Sequence, residues 1–212
     1  MKKGTTAIAL ALSATLALSL AGCKSKQPML TPTTPSETTT SDTATAKTQY
    51  PLTIGSTKIL LGETKLQALY DAGYTIEAPA DPQTGSAADG QTNELAGDQE
   101  INANQSIENC YVMKDGVKQA EVNVLGGQEK GSLSDATIMS FLMDRAIAEP
   151  TEVITFDDID LNELTMDAFT NAVDGEATLY GTETAIYQQD GWDMDAQWDE
   201  SGALTSIRVS ID

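Results

Sequence analysis

The sequence predicts an α+β fold dominated by antiparallel β-meanders, with one short helix per unit and an order of elements that suggests two tandem related units. Three observations carry this reading. Runs of alternating apolar and polar residues, clearest from Trp192 to Trp198, have the period of a strand with one buried face. Short turn sequences separate the runs, Lys114-Asp115-Gly116 and Asp190-Gly191 among them, and these favour tight hairpins. Twice a threonine opens a short helical pattern that a glycine closes, at Thr64 to Gly73 and at Thr165 to Gly175.

Before these elements comes a leader. Lys2 and Lys3 precede an apolar run from Ala7 to Leu20, followed by Leu20-Ala21-Gly22-Cys23. These are the charged region, apolar region and small-residue cleavage site of a secretory signal over 1–22. The run is shorter than the roughly 18 to 20 apolar residues of a membrane span. The four-residue site resembles the lipobox of bacterial lipoproteins. That resemblance implies a diacylglyceryl thioether on Cys23, cleavage before it, and a chain held by lipid at the extracytoplasmic face of the cell membrane. Two acyl chains give stable anchoring where one gives only marginal binding.

The stretch 23–49 is rich in Thr, Ser, Pro and Ala and has too little apolar content to bury a core, so it reads as a disordered tether. Folded structure is expected from Tyr50 onward, as a first α/β unit over 50–148 and a second over 149–212. In the first, Leu52 to Ile54 and Lys58 to Leu61 pair across Gly55-Ser56. A helix capped by Thr64 follows, with Leu66, Leu69 and Tyr70 on one face and Gly73 beyond its end. The stretch 78–105 reads as a long loop, because Gly, Pro, Asp, Asn and Gln dominate it. Ile107 to Met113 and Val117 to Leu125 form a hairpin across Asp115-Gly116, with Ala120, Val122 and Val124 facing the core. Ala136 to Met143 fits a helix or a strand, and the surrounding β content favours a strand.

The second unit begins with a strand from Glu152 to Phe156 and the apolar positions Ile159, Leu161 and Leu164. Thr165 caps the next helix, Met166, Phe169 and Val173 form its apolar stripe, and Asp167 suits its positive N-terminus. A four-stranded meander completes the chain, through Glu176 to Tyr180, Thr184 to Gln189, Trp192 to Trp198 and Ala203 to Ile211. The two units repeat one order of elements at an offset of about a hundred residues.

In the second unit, Thr165, Phe169, Gly175, Tyr187, Gly191, Trp198, Asp199, Gly202, Leu204 and Ile207 resemble the helix-plus-meander unit of BamE/SmpA-type lipoproteins and the β-lactamase inhibitor-like fold. This chain has Ala177 where that family usually places a proline. The resemblance implies non-catalytic protein binding or inhibition by tandem α/β units on a sheet surface, and it assigns no individual functional residue.

Composition narrows the chemistry further. The formal charge is −20, or −22 once Lys2 and Lys3 leave with the signal, and the chain has two arginines, Arg145 and Arg208. Nucleic-acid binding needs clustered cations and is not expected. There is no histidine, which removes histidine-based nucleophilic catalysis and His-ligated metals. With Cys23 committed to lipid, Cys110 stands alone in a β run and reads as a small core residue. Asp158, Asp160 and Asn162 begin like a calcium loop, but Glu163 replaces its glycine and Phe169 its final glutamate. Asp193, Asp195 and Asp199 read as one strand face that could gather a cation or ligand, against the plainer reading of a solvated outer face. Trp192 and Trp198 fall on the opposite, core face; on the outside they would suit a carbohydrate-binding module. No carboxylate pair stands out for a cell-wall hydrolase. The expectation is an anchored binding module for an unidentified envelope protein, with no cofactor, no metal and no enzymatic activity. Inhibition of an envelope hydrolase is the first alternative, and a carboxylate-dependent cell-wall enzyme or carbohydrate-binding module is the second.

Overall fold

The computed structural model describes residues 48–79 and 92–211, which fall in one compact unit. The signal, Cys23 and nearly all of the expected tether lie outside the described residues, as does the middle of the loop expected at 78–105. The fold is β-rich, with few helices.

The chain runs through β1 (Leu52–Ile54), β2 (Thr57–Ile59), α1 (Gln67–Asp71), β3 (Thr75–Pro79), β4 (Thr92–Leu95), β5 (Glu100–Ile101), β6 (Ser106–Lys114), β7 (Val117–Leu125), β8 (Gly131–Ser132) and β9 (Thr137–Asp144). It continues through β10 (Ile154–Phe156), β11 (Ile159–Asp160), α2 (Met166–Ala172), β12 (Thr178–Tyr180), β13 (Thr184–Gln189), β14 (Trp192–Trp198) and β15 (Leu204–Ile211). Nine strands form one sheet in the order β12-β13-β14-β15-β9-β7-β6-β3-β4. A smaller sheet runs β11-β10-β1-β2, and β5 pairs with β8. Every pairing is antiparallel.

Local chemistry explains the elements that match expectation. Asp115 (φ 51°) and Gly116 (φ 77°) both take positive φ, as a two-residue turn between right-twisted strands requires, and they join β6 to β7. Residues 137–144 are the strand β9, paired with β7 and β15. Thr165 Oγ1 accepts from the Ala168 N–H at 3.1 Å, satisfying a donor that the first turn of α2 leaves without an intrahelical partner.

Two expectations are corrected. Thr64 does not cap α1: its hydroxyl accepts from Leu60 N–H at 2.8 Å, and the helix starts after Leu66 without a side-chain cap. The backbone here is committed to the start of β9, through Ile138 N–H to Thr64 O at 3.0 Å and Leu66 N–H to Ala136 O at 2.9 Å. The stretch 78–105 is not a single loop either. Its described parts contain the end of β3, then β4 and β5, and Ile76 stands opposite Leu95.

One hydrophobic cluster joins the large sheet to the small sheet and the helices. Phe169 of α2 links them, with its ring centroid 5.6 Å from Phe156 on β10 and 6.0 Å from Trp198 on β14. Tyr50 lies 5.0 Å edge-on to Trp192 and stacks 6.0 Å from Phe156. The connection between β9 and β10 is tied back by Gln119, a buried residue at an irregularity of β7. Its Oε1 accepts from Thr151 and Glu152 N–H, each at 2.9 Å. With one face covered in this way, the large sheet presents its other face as the candidate site.

Candidate functional site

Alternation sets the composition of the open face. On β14, Trp192, Met194, Ala196 and Trp198 are buried, while Asp193 and Gln197 are exposed and Asp195 is half-buried. Register carries the pattern sideways. Asp193 stands opposite Ser210, Asp195 opposite Arg208 and Gln197 opposite Ser206. Across the next seam, Arg208 faces Leu142 and Ser210 faces Ser140. Beyond that, Glu121 and Asn123 of β7 stand opposite Leu142 and Ser140. The exposed Arg208 guanidinium thus lies near the middle of a surface of hydroxyls, amides and carboxylates, with the half-buried Leu142 beside it.

A shallow hollow of about 270 Å³ occupies part of this face, running from Asn109 on β6 past Asn123 and Ser140 to Arg208. Asn109 has a positive φ of 57° at an irregularity in β6, and its N–H donates to Asn123 Oδ1 at 2.9 Å. At one side, the Lys118 ammonium sits 4.1 Å from the Tyr111 ring centroid and pairs with Glu121. These contacts organise one rim, whereas Arg208 makes no ion pair among the described residues.

Of the three predicted acids, Asp193 and Asp195 share the open face, and Asp195 Oδ1 accepts from Gln197 Nε2 at 3.2 Å. Asp199 does not. β14 ends at Trp198, with a register shift between Gln197 and Trp198, and Asp199 holds the following turn instead. Its Oδ1 accepts from Ser201 Oγ at 2.6 Å, Ser201 N–H at 2.8 Å and Ala203 N–H at 3.0 Å. The Ser201 hydroxyl bond leads the causes that lower its pKa, followed by the Ala203 amide. Among the described residues no group of three or more acidic or cysteine side chains is placed to hold a metal ion. Asp160 of the calcium-like sequence accepts from Asn162 N–H at 2.8 Å and Nδ2 at 3.0 Å, which makes it a turn residue.

The other sequence candidates belong to the core. Trp192 and Trp198 are buried, and Trp198 Nε1 donates to Leu164 O at 2.7 Å, so neither presents a stacking face to a sugar. Cys110 is buried, and that burial pushes its thiol up to about 12. Sequence alternation puts Arg208 with Ser206 and Ser210 on the strand face opposite Ile207 and Val209, but its central place depends on β15 pairing with the distant β9.

Comparison with family models, curated proteins and solved structures finds no match to this chain. No helix among the described residues is long and apolar enough to cross a membrane. The open face can form hydrogen bonds and charge pairs over a broad surface. Residues 108–142 and 193–210 together supply it.

Proposed function

We propose that the protein is a lipoprotein anchored through Cys23 at the extracytoplasmic face of the membrane, and that its folded part is a non-catalytic module binding another envelope protein. The observation that carries the binding reading is the face of the nine-stranded sheet left uncovered among the described residues, largely polar through its middle apart from the half-buried Leu142, and bearing Arg208 opposite Asp195. A broad polar surface with a central arginine suits a protein interface, where arginine is enriched and hydrogen bonds set orientation. The absence of histidine and the protonated state of the buried Cys110 thiol support a non-catalytic role.

The module consists of two related α/β units whose sheets merge between β9 and β15. Supporting this, β1 and β10 pair so that Thr53 meets Thr155, 102 positions later. Gly73 after α1 and Gly175 after α2, at the same spacing, both take positive φ. The tether carries this surface away from the lipid. Cross-linking of the protein on living cells, read by mass spectrometry with Cys23→Ala as the anchoring control, tests the proposal. One abundant protein partner, lost with the anchor, is expected; recovery of wall polysaccharide alone would overturn it. If the partner is a hydrolase whose turnover falls on stoichiometric binding, the module is an inhibitor.

A further inference from the structure

Among the described residues the large sheet ends at β12 with one edge unpaired, and that edge has recognition chemistry of its own. Trp198 N–H donates to Glu183 O at 2.8 Å, which fixes the alternation along β13: residues 183 and 185 bond toward β14, and residues 184 and 186 toward β12. Thr184 and Ile186 stand opposite Tyr180 and Thr178, so those two residues of β12 turn their main-chain groups inward. The N–H and C=O of Leu179, between them, point away from the sheet. Successive side chains leave opposite faces of a strand, and here both Leu179 and Tyr180 are more than half exposed, at 51% and 60%. Natural sheets blunt such edges with lysine, proline or a bulge. β12 has none of these, whereas β2, at an edge of the small sheet, carries the exposed Lys58.

Charge identifies the occupant. The sequence has no lysine or arginine between Arg145 and Arg208, and that stretch carries fifteen carboxylates. Exposed Glu176 and Glu183 flank β12 on either side. Two copies meeting edge to edge would bring like-charged surfaces together. We propose that β12 is a docking edge that takes an extended segment of a partner protein as a further strand, apolar where it meets Leu179 and cationic on either side. Main-chain bonds to Leu179 supply the pairing, and Glu176 and Glu183 supply the preference for cations.

The test titrates the full chain with a short peptide of alternating lysine and valine, and with the matching peptide of glutamate and valine, while amide hydrogen exchange is followed. The lysine peptide is expected to bind and to slow exchange at Leu179. Leu179→Pro, which removes the outward donor, should weaken it by about tenfold, the effect of one lost main-chain hydrogen bond. N-methylation of the peptide along its bonding edge should give a similar loss while leaving the protein unaltered. Glu176→Lys combined with Glu183→Lys should reverse the preference between the two peptides. Equal binding of both peptides by the unaltered chain, protection confined to residues away from 176–183, or association of two copies through β12 would overturn the proposal. None of these outcomes involves Arg208, so failure here is distinguishable from failure of the open-face reading.

Discussion

Thr53 and Thr155 stand directly opposite each other on β1 and β10, with their hydroxyl oxygens 2.7 Å apart. Their strands lie 102 residues apart in the chain, and each belongs to a short hairpin that contributes to the shared core. The bond therefore links chain segments that only the completed fold brings together. Replacing either threonine by valine keeps the β-branched shape and removes the bond, at a cost of about 1 kcal/mol. The double replacement should cost less than the sum of the singles, because neither hydroxyl is then left without its partner. Urea denaturation of the four proteins measures this coupling, and strict additivity would show that the contact contributes nothing.

Alkaline pH should destabilise the fold in a defined order. Burial raises the Cys110 thiol from 9.0 to about 12 and the Tyr70 phenol from 10.0 to about 12. In each case the folded state holds the proton more tightly, so the stabilisation is complete below the unfolded pKa and is lost as pH rises through the folded one. Cys110 acts first, from about pH 9, at roughly 1 kcal/mol per pH unit; Tyr70 follows from about pH 10. Urea midpoints across pH 8 to 11 should fall accordingly, and Cys110→Ala should flatten the slope between pH 9 and 10. An unchanged slope in that variant would remove Cys110 from the account.

Gln119 holds the connection between β9 and β10 by both ends of its amide. Besides the two N–H groups it accepts from, its Nε2 donates to Val117 O at 2.9 Å and Thr151 Oγ1 at 3.0 Å. Gln119→Leu leaves Thr151 and Glu152 N–H without this acceptor in a half-buried place, which should cost about 2 to 3 kcal/mol. Gln119→Glu keeps the acceptors but loses both donors and sets a carboxylate against the Val117 carbonyl. It should also destabilise, and partly recover at acid pH. Hydrogen exchange at Thr151 and Glu152 would separate this local release from global unfolding.

These examples show what the sequence can carry. Asp115-Gly116, the Thr165 cap and the alternation from Trp192 are chemistry that neighbouring residues decide among themselves, and each forms as its local pattern predicts. Thr64 misled because the capping pattern is local while its backbone answers to Ile138. β4 was hidden for a similar reason: Thr92-Asn93-Glu94-Leu95 has little β preference. It is held by register against β3 and by the Tyr70 hydroxyl donating to Leu95 O at 2.9 Å. The alternation also placed Asp193 and Arg208 on outer faces. It could not say that β9 lies beside β15, and hence that Arg208 sits mid-sheet rather than at an edge.

That position makes Arg208 the sharpest test of the open face. Its guanidinium is exposed, so exchanging it touches no core packing. Arg208→Gln should leave thermal unfolding unchanged and lower the yield of the cross-linked envelope partner about tenfold or more, as expected for a central arginine of an interface. Arg208→Glu should lower it further by setting a second carboxylate opposite Asp195, at a stability cost of about 0.2 to 1 kcal/mol. Asp195→Asn separates the roles. If Asp195 mainly orients Arg208, its loss weakens capture less than loss of the arginine; if it meets a cation of the partner, the losses are comparable and fade with added salt. Unchanged capture in all three variants would move the interface off this face and leave the docking edge at β12 as the surface to pursue.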